Sequence, residues 1–174
     1  MEKNPIVVVA GGTGNLGGRM VKALLKRGAK VRALVRPDTE PAKLDEFKAQ
    51  GVEVVLAELT DHAALQPALT GAVCVVSALH GLRDVIVDGQ TQLLNAAVAA
   101  GVPRFIPSDY AVDYTQLTPG DNRNFDLRRE FHQIIDKANI RAKRLLRGHL
   151  RLRHAALRRQ KEDRGLLGQS RLEG

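Results

Sequence analysis

Along the first 107 positions, apolar residues come in short dense runs, separated by longer stretches in which they recur every three or four residues. The runs occupy residues 6–10, 31–35, 52–56, 72–77 and 104–107. They are rich in Val and Ile and mostly lack the alternation of a half-exposed strand, so they predict strands buried on both faces, as in a parallel sheet. Between the first two runs, residues 16–27 set Met20, Val21, Leu24 and Leu25 on one face of a helix that Gly28 closes. Residues 84–100 repeat the pattern with Val85, Val87, Leu93, Leu94, Ala97 and Val98 before Gly101. Shorter helices are expected after Pro41 and from Asp61, and residues 122–138 carry Leu127, Phe131, Ile134 and Ile135 at helical spacing. Strands alternating with helices make βαβ units, and the fold class that follows is α/β with a doubly wound parallel sheet.

The connection between the first strand and the first helix reads Gly11-Gly12-Thr13-Gly14-Asn15-Leu16-Gly17-Gly18. It holds G-x-G-x-x-G from Gly12 to Gly17, in the position where a Rossmann-type sheet binds a dinucleotide. A pyrophosphate needs free backbone N–H groups, the positive end of a helix dipole and no side chain in its way, and this loop offers all three. A glycine turn of purely structural purpose is the plain alternative. The end of the second strand carries Arg36, and no Asp or Glu lies between Ala29 and Pro37 to accept the ribose 2′-hydroxyl of NAD. A guanidinium pairs instead with a 2′-phosphate, so the expected cofactor is NADP(H). The competing reading makes Arg36, like Lys43, one more solvated charge near a strand end.

Composition adds mostly exclusions. The longest apolar runs are too short to cross a bilayer, and residues 1–4 lack the pattern of a secretory leader, so a cytoplasmic protein with no membrane partner is expected. The one cysteine, Cys74, lies within an apolar run and reads as a buried, inert thiol. His62, His80 and His132 stand alone, and His149 and His154 do not share a helix face, so no metal site is expected. The net charge of +8 is local: residues 1–140 hold 16 basic and 16 acidic side chains, residues 141–174 hold 11 and 3.

The glycine loop, the phrase Arg32-Ala-Leu-Val-Arg36, and the phrases Glu58-Leu-Thr-Asp61, Val76-Ser-Ala-Leu-His-Gly81 and Arg104-Phe-Ile-Pro-Ser-Asp-Tyr110 together resemble the NmrA-like and isoflavone-reductase-like group, an atypical branch of the short-chain dehydrogenases. The resemblance runs over residues 5–140. It implies a Rossmann core carrying NADP, a small C-terminal substrate lobe, and either NADPH-dependent reduction of aromatic or quinone-like substrates or redox sensing. Carried over by position, it places Gly11, Gly14 and Gly17 at the pyrophosphate, with Gly12, Thr13, Asn15 and Leu16 in the same loop. It sets Arg36 at the 2′-phosphate, Ser77 and Ala78 on the adenosine or ribose side, and Ser108 at the mouth of the fifth strand. The group's reductases have a lysine on the following helix, and this chain carries Arg128 there, after Phe125-Asp126-Leu127. Arginine keeps the positive charge but cannot shuttle a proton at neutral pH. Tyr110 is not followed by a lysine at the spacing of a tyrosine–lysine proton relay and reads as a cleft-lining or packing residue.

Residues 141–174 depart from the group. They contain no Val, Ile, Phe, Tyr, Trp or Thr, so they offer neither a central sixth strand nor the aromatic lining of a substrate pocket. Two domains of unlike character are expected: a nucleotide-binding domain over 1–140 and a basic Arg/Leu-rich tail over 141–174 that stands where the substrate lobe would be. A reading-frame shift in a GC-rich gene would produce such a tail, and a genuine basic helix for RNA, DNA or an acidic membrane is the alternative. Three functions follow: an NADPH-dependent reductase impaired in this chain, a non-catalytic redox sensor that binds NADP and a protein partner, and a nucleic-acid binder acting through the tail.

Overall fold

The computed structural model describes residues 5–110 and 113–142. They divide into two units: a large one comprising residues up to Ser108 and again from Pro119, and a small one containing Asp109, Tyr110 and 113–118. In the large unit a parallel sheet is built from β1 (Ile6–Ala10), β2 (Lys30–Val35), β3 (Glu53–Leu56), β4 (Ala72–Ser77), β5 (Arg104–Ile106) and β6 (Arg141–Ala142), in the order β3-β2-β1-β4-β5-β6. Its helices are α1 (Asn15–Lys26), α2 (Pro41–Ala49), α3 (His62–Leu69), α4 (Gln90–Ala99) and α5 (Arg123–Ile135). This is the strand order of the doubly wound dinucleotide folds, with the reversal between β1 and β4.

The period of two along β1 sorts its side chains between two cores. Val7 and Val9 face Val21 of α1 and Phe47 of α2, with Met20 and Leu24 packed against them. Val8 and Ala10 face the other side, where Leu65 and Leu69 of α3, Leu93 and Leu94 of α4 and Phe131 and Ile135 of α5 meet. Both faces are covered, which is why the strands read as unbroken apolar runs. In the first half of β2, Arg32 lies largely buried and donates to the carbonyl oxygens of Ala68 (2.8 Å) and Thr70 (3.0 Å) while its Nε meets Glu53 at 2.9 Å. That arginine joins β2 and β3 to the end of α3 and faces away from any nucleotide role.

Local chemistry sets the helix starts. Asp61 accepts from the Ala64 N–H at 3.1 Å, Asn122 accepts from Asn124 and Phe125, and Pro41 opens α2 at its first turn. Two features differ from the sequence reading. The helix expected over 84–100 begins as a π-helical segment, Asp84–Gly89, before α4 takes over. The sheet also gains a sixth strand from a segment expected to supply none: Arg141–Ala142 pairs in parallel with Arg104–Phe105. Backbone groups alone make that ladder, so two exposed residues of any apolar content suffice at the sheet's end. The basic tail beyond residue 142, with its expected nucleic-acid role, lies outside the described residues. Among the described residues no helix is long and apolar enough to cross a membrane.

Phe131 fixes α5 to the sheet by packing on Phe105 of β5, ring centroids 6.4 Å apart and planes tilted by 47°. Phe131→Ala is expected to lower the unfolding free energy by about 3–5 kcal/mol in a denaturant titration. A loss under about 1 kcal/mol would mean that α5 is not docked on the sheet.

Candidate functional site

The chain leaves β1 at Ala10 and turns at once on Gly11, which has φ 80°, in the left-handed region. A Cβ at Gly11 would stand 2.6 Å from the carbonyl oxygen of Ala78, the first residue past β4. The Ala78 N–H in turn donates to the Ala10 carbonyl at 2.8 Å, so the two strand ends are stitched together beneath the loop. A Cβ at Gly17, in the first turn of α1, would lie 2.1 Å from the Gly11 carbonyl oxygen. Only glycine at both positions lets helix, loop and strand end approach this closely.

Among the described residues, no side chain caps the helix end so placed. The N-cap Gly14 has no capping side chain, and the first turn carries no acidic residue. The Gly18 N–H donates to Gly14 at 2.8 Å, so the N–H groups of Asn15, Leu16 and Gly17 precede the first bond of the helix ladder. Residues 13–16 are exposed. Uncapped N–H groups, a dipole end and a side-chain-free approach are what an anionic group such as a pyrophosphate requires, and the residues present fit it.

A cleft of about 510 Å³ opens beside the loop at the carboxyl ends of the central strands. Gly11, Thr13 and Gly14 form one wall. Leu34, Val35 and Arg36 from the end of β2, and Ala57 to Thr60 after β3, form the next. Ala78, Leu79 and His80 after β4, with Asp84, Val85 and Gly89 of the π-helical segment, complete it. Gly89 permits the last approach, since a Cβ there would meet Leu59 Cδ1 at 2.9 Å. Arg36 stands at the lip with its side chain 73% exposed and its Nε 3.4 Å from Asp38, itself 69% exposed. A pair so solvated is weak, which leaves the guanidinium open to a better anion.

Of the residues singled out from the sequence, Gly11, Thr13, Gly14, Arg36 and Ala78 line this cleft. Asn15 and Leu16 sit on the exposed first turn of α1, Gly17 lies beneath the loop, and Gly12 is turned away into the core against Val21 and Phe47. Ser77 is buried at the end of β4 and does not reach the cleft wall. Ser108 is buried too; its hydroxyl donates to the Leu79 carbonyl and its N–H to Gln90 Oε1 at 2.9 Å. Arg128 donates to the carbonyl of Asn124 on its own helix at 2.8 Å and is not among the residues around the cleft. Tyr110 falls in the small unit, whose described part holds one turn of 3-10 helix, Tyr114–Gln116.

Glu58, Leu59, Thr60, Leu79, His80, Asp84, Val85 and Gly89 line the cleft although the sequence assigns none of them a site role, even where residues 58–60 and 79–80 fall within the phrases of the family resemblance. Position could have found those just past the third and fourth strands, because ligands of such sheets sit at strand carboxyl ends. Nothing in the sequence marked the π-helical wall. Cys74 is half-buried rather than buried, and burial pushes its thiol up from its ordinary value, against a smaller opposing effect of Arg104. No group of metal-ligating side chains forms among the described residues.

Residues 3–144 match the model of the NmrA-like family. A bifunctional pinoresinol-lariciresinol reductase of Linum usitatissimum is 37% identical over 147 residues, which are 77% of this chain and 46% of that protein. An isoflavone reductase homolog of Lupinus albus is 35% identical over 153 residues, 80% of this chain and 48% of its own. The chain thus spans about half the length of these relatives. Among solved structures, AtPrR2 with NADP+ and (+)-pinoresinol superposes with a TM-score of 0.71 at 32% identity, covering 80% of this chain and 48% of that one. An NADPH-dependent quinone oxidoreductase from Escherichia coli complexed with NADPH gives 0.68 at 26% identity, with the same coverage.

The glycine geometry separates two neighbouring substitutions. Gly17→Ala drives a methyl into the Gly11 carbonyl and is expected to cost about 1–3 kcal/mol of stability. Gly18→Ala meets only Gly12 O at 3.4 Å, an ordinary contact in a helix interior, and should gain about 0.5–1 kcal/mol. Thermal unfolding of both variants checks this, and equal effects would refute the close approach.

Proposed function

The chain belongs to the NmrA-like family, and from that premise we propose that it binds NADP(H) in the cleft at the carboxyl ends of β1, β2 and β4. The observation that carries this reading is the uncapped start of α1 beneath two glycines that a side chain would block. The backbone N–H groups of residues 15–17 hold the pyrophosphate there, and Arg36 exchanges its solvated contact with Asp38 for the 2′-phosphate. Leu34, Leu79 and Val85 give the cleft apolar wall.

The reaction we assign to the whole protein's lineage is reduction of an aromatic or quinone-like compound, the class named for the relatives above. The reduced nicotinamide, when bound, supplies a hydride for such a reduction. The chain's own part is to bind and orient the dinucleotide. Arg128 supports a second reading, that of a dinucleotide sensor without turnover: it stands where the family's reductases have lysine, it cannot release a proton at neutral pH, and it is tied to its own helix through Asn124. A protein partner belongs to this second reading, and in both readings Ser108 supports the cleft rather than contacting the cofactor.

Isothermal titration with NADPH and NADH tests the cofactor. NADPH is expected to bind more tightly, and Arg36→Ala to remove about 1–3 kcal/mol of that preference. Equal affinities in the unaltered chain would sink the assignment. Catalysis is tested by following NADPH oxidation with a panel of quinones and lignan-type aromatics: the sensor reading expects no rate above buffer, and steady turnover would overturn it in favour of the reductase.

A further inference from the structure

Gln90, at the junction of the π-helical segment and α4, is 1% exposed, and the proposed function leaves it without a purpose. Burying an amide requires partners for its donor and acceptor. Gln90 has both. Its Nε2 donates to the carbonyl of Ile86 at 2.7 Å and its Oε1 accepts the Ser108 N–H at 2.9 Å. The backbone N–H of Gln90 itself goes to the carbonyls of Val85 and Val87, passing over Ile86. In this wide turn the Ile86 carbonyl accepts instead from the side chain of the residue four places on. Ser108 then extends the chain of bonds, its hydroxyl donating to the Leu79 carbonyl.

One end of this chain is cleft wall and the other adjoins it. Leu79 lines the cleft directly, and Asp84, Val85 and Gly89, the three cleft-lining residues of the π-helical segment, flank Ile86 in the turn that Gln90 closes. The amide thus ties β5's mouth to two walls contributed by other parts of the chain. On its outer side the same π-helical region is pinned by Arg83, which makes a two-pronged ion pair with Glu130 of α5. The arginine holds the Glu130 carboxyl below the usual carboxylate range through that hydrogen-bonded contact. This outer clamp is exposed, and the inner one is dry.

We infer that Gln90 is a positioning residue for the nucleotide site: through Ile86 and through Ser108 it holds the Val85 and Leu79 walls of the cleft at the separation the dinucleotide needs. The inference rests on the proposed binding of NADP(H). Gln90 touches no ligand in this scheme, and its effect on affinity passes through two backbone carbonyls.

Gln90→Glu gives a reversible test. A neutral carboxylic acid at position 90 reproduces the amide's pattern, its O–H donating to Ile86 and its C=O accepting from Ser108. An ionised carboxylate faces the Ile86 carbonyl with no donor. Burial keeps the acid neutral at low pH, and ionisation at higher pH breaks the pattern. NADP+ affinity is measured by titration calorimetry for the full chain and the variant at about pH 5.5 and about pH 9, with folding checked by circular dichroism. The variant is expected to bind within about threefold of the unaltered chain at the lower pH and about tenfold or more weaker at the higher, relative to the unaltered chain at the same pH. Gln90→Met fills the same space with neither donor nor acceptor and should be weaker by a similar factor at both pH values. A variant pH profile parallel to that of the unaltered chain, or unaltered affinity in Gln90→Met, overturns the inference while leaving NADP(H) binding intact. If Gln90→Glu fails to fold at the higher pH, Gln90→Met decides. Absence of NADP+ binding by the unaltered chain would overturn the proposed function and this inference with it.

Discussion

The structure depends on one close approach, the first turn of α1 lying on the turn that ends β1. A Cβ at Gly17 would sit 2.1 Å from the Gly11 carbonyl, and one at Gly11 would sit 2.6 Å from the Ala78 carbonyl. Three backbone segments therefore meet with no side chain between them. The helix axis is aimed from that point, which puts its uncapped N–H groups at the open end of the sheet. The same contact lets Val21 of α1 reach the face of β1 that carries Val7 and Val9. Binding geometry and core packing on this face are two consequences of one steric condition.

The opposite face is built differently. There α3, α4 and α5 cover Val8, Ala10 and Phe105 with Leu, Ile and Phe side chains, and among the polar groups buried there Gln90 and Ser108 are hydrogen-bonded. Gln90 and Ser108 are the pair that matters for the cleft, because their bonds end on the carbonyl of Leu79, which lines it, and on that of Ile86, which cleft-lining residues flank. A packed helical layer that carries a π-helical turn at its start can thereby set the shape of a site on the far side of the loop.

Much of this was legible in the sequence because the signals were local. Five strands and the helix that follows the glycine loop come from apolar runs and period, and the loop itself sits where strand gives way to helix. Arg36 was found by what is missing around it, an acid at the end of the second strand. The rest needed tertiary structure. Ser77 and Ser108 looked like cleft residues by position, yet the first is buried at a strand end and the second spends its hydroxyl on Leu79. The π-helical wall was invisible because its residues keep the apolar spacing of an ordinary helix, and β6 because a two-residue parallel ladder demands backbone groups and no pattern of side chains.

The central claim is that the start of α1 is an anion site which the glycines keep open and which a dinucleotide occupies. Backbone amide resonances of residues 11–26, Leu79 and Val85, followed by heteronuclear NMR as NADP+ is added, test it most directly. The account predicts that the amides of Asn15, Leu16 and Gly17 shift most, with Val85 and Leu79 following and the far end of α1 at Lys26 unmoved. Large shifts elsewhere in the large unit, with residues 15–17 unchanged at saturation, would contradict it.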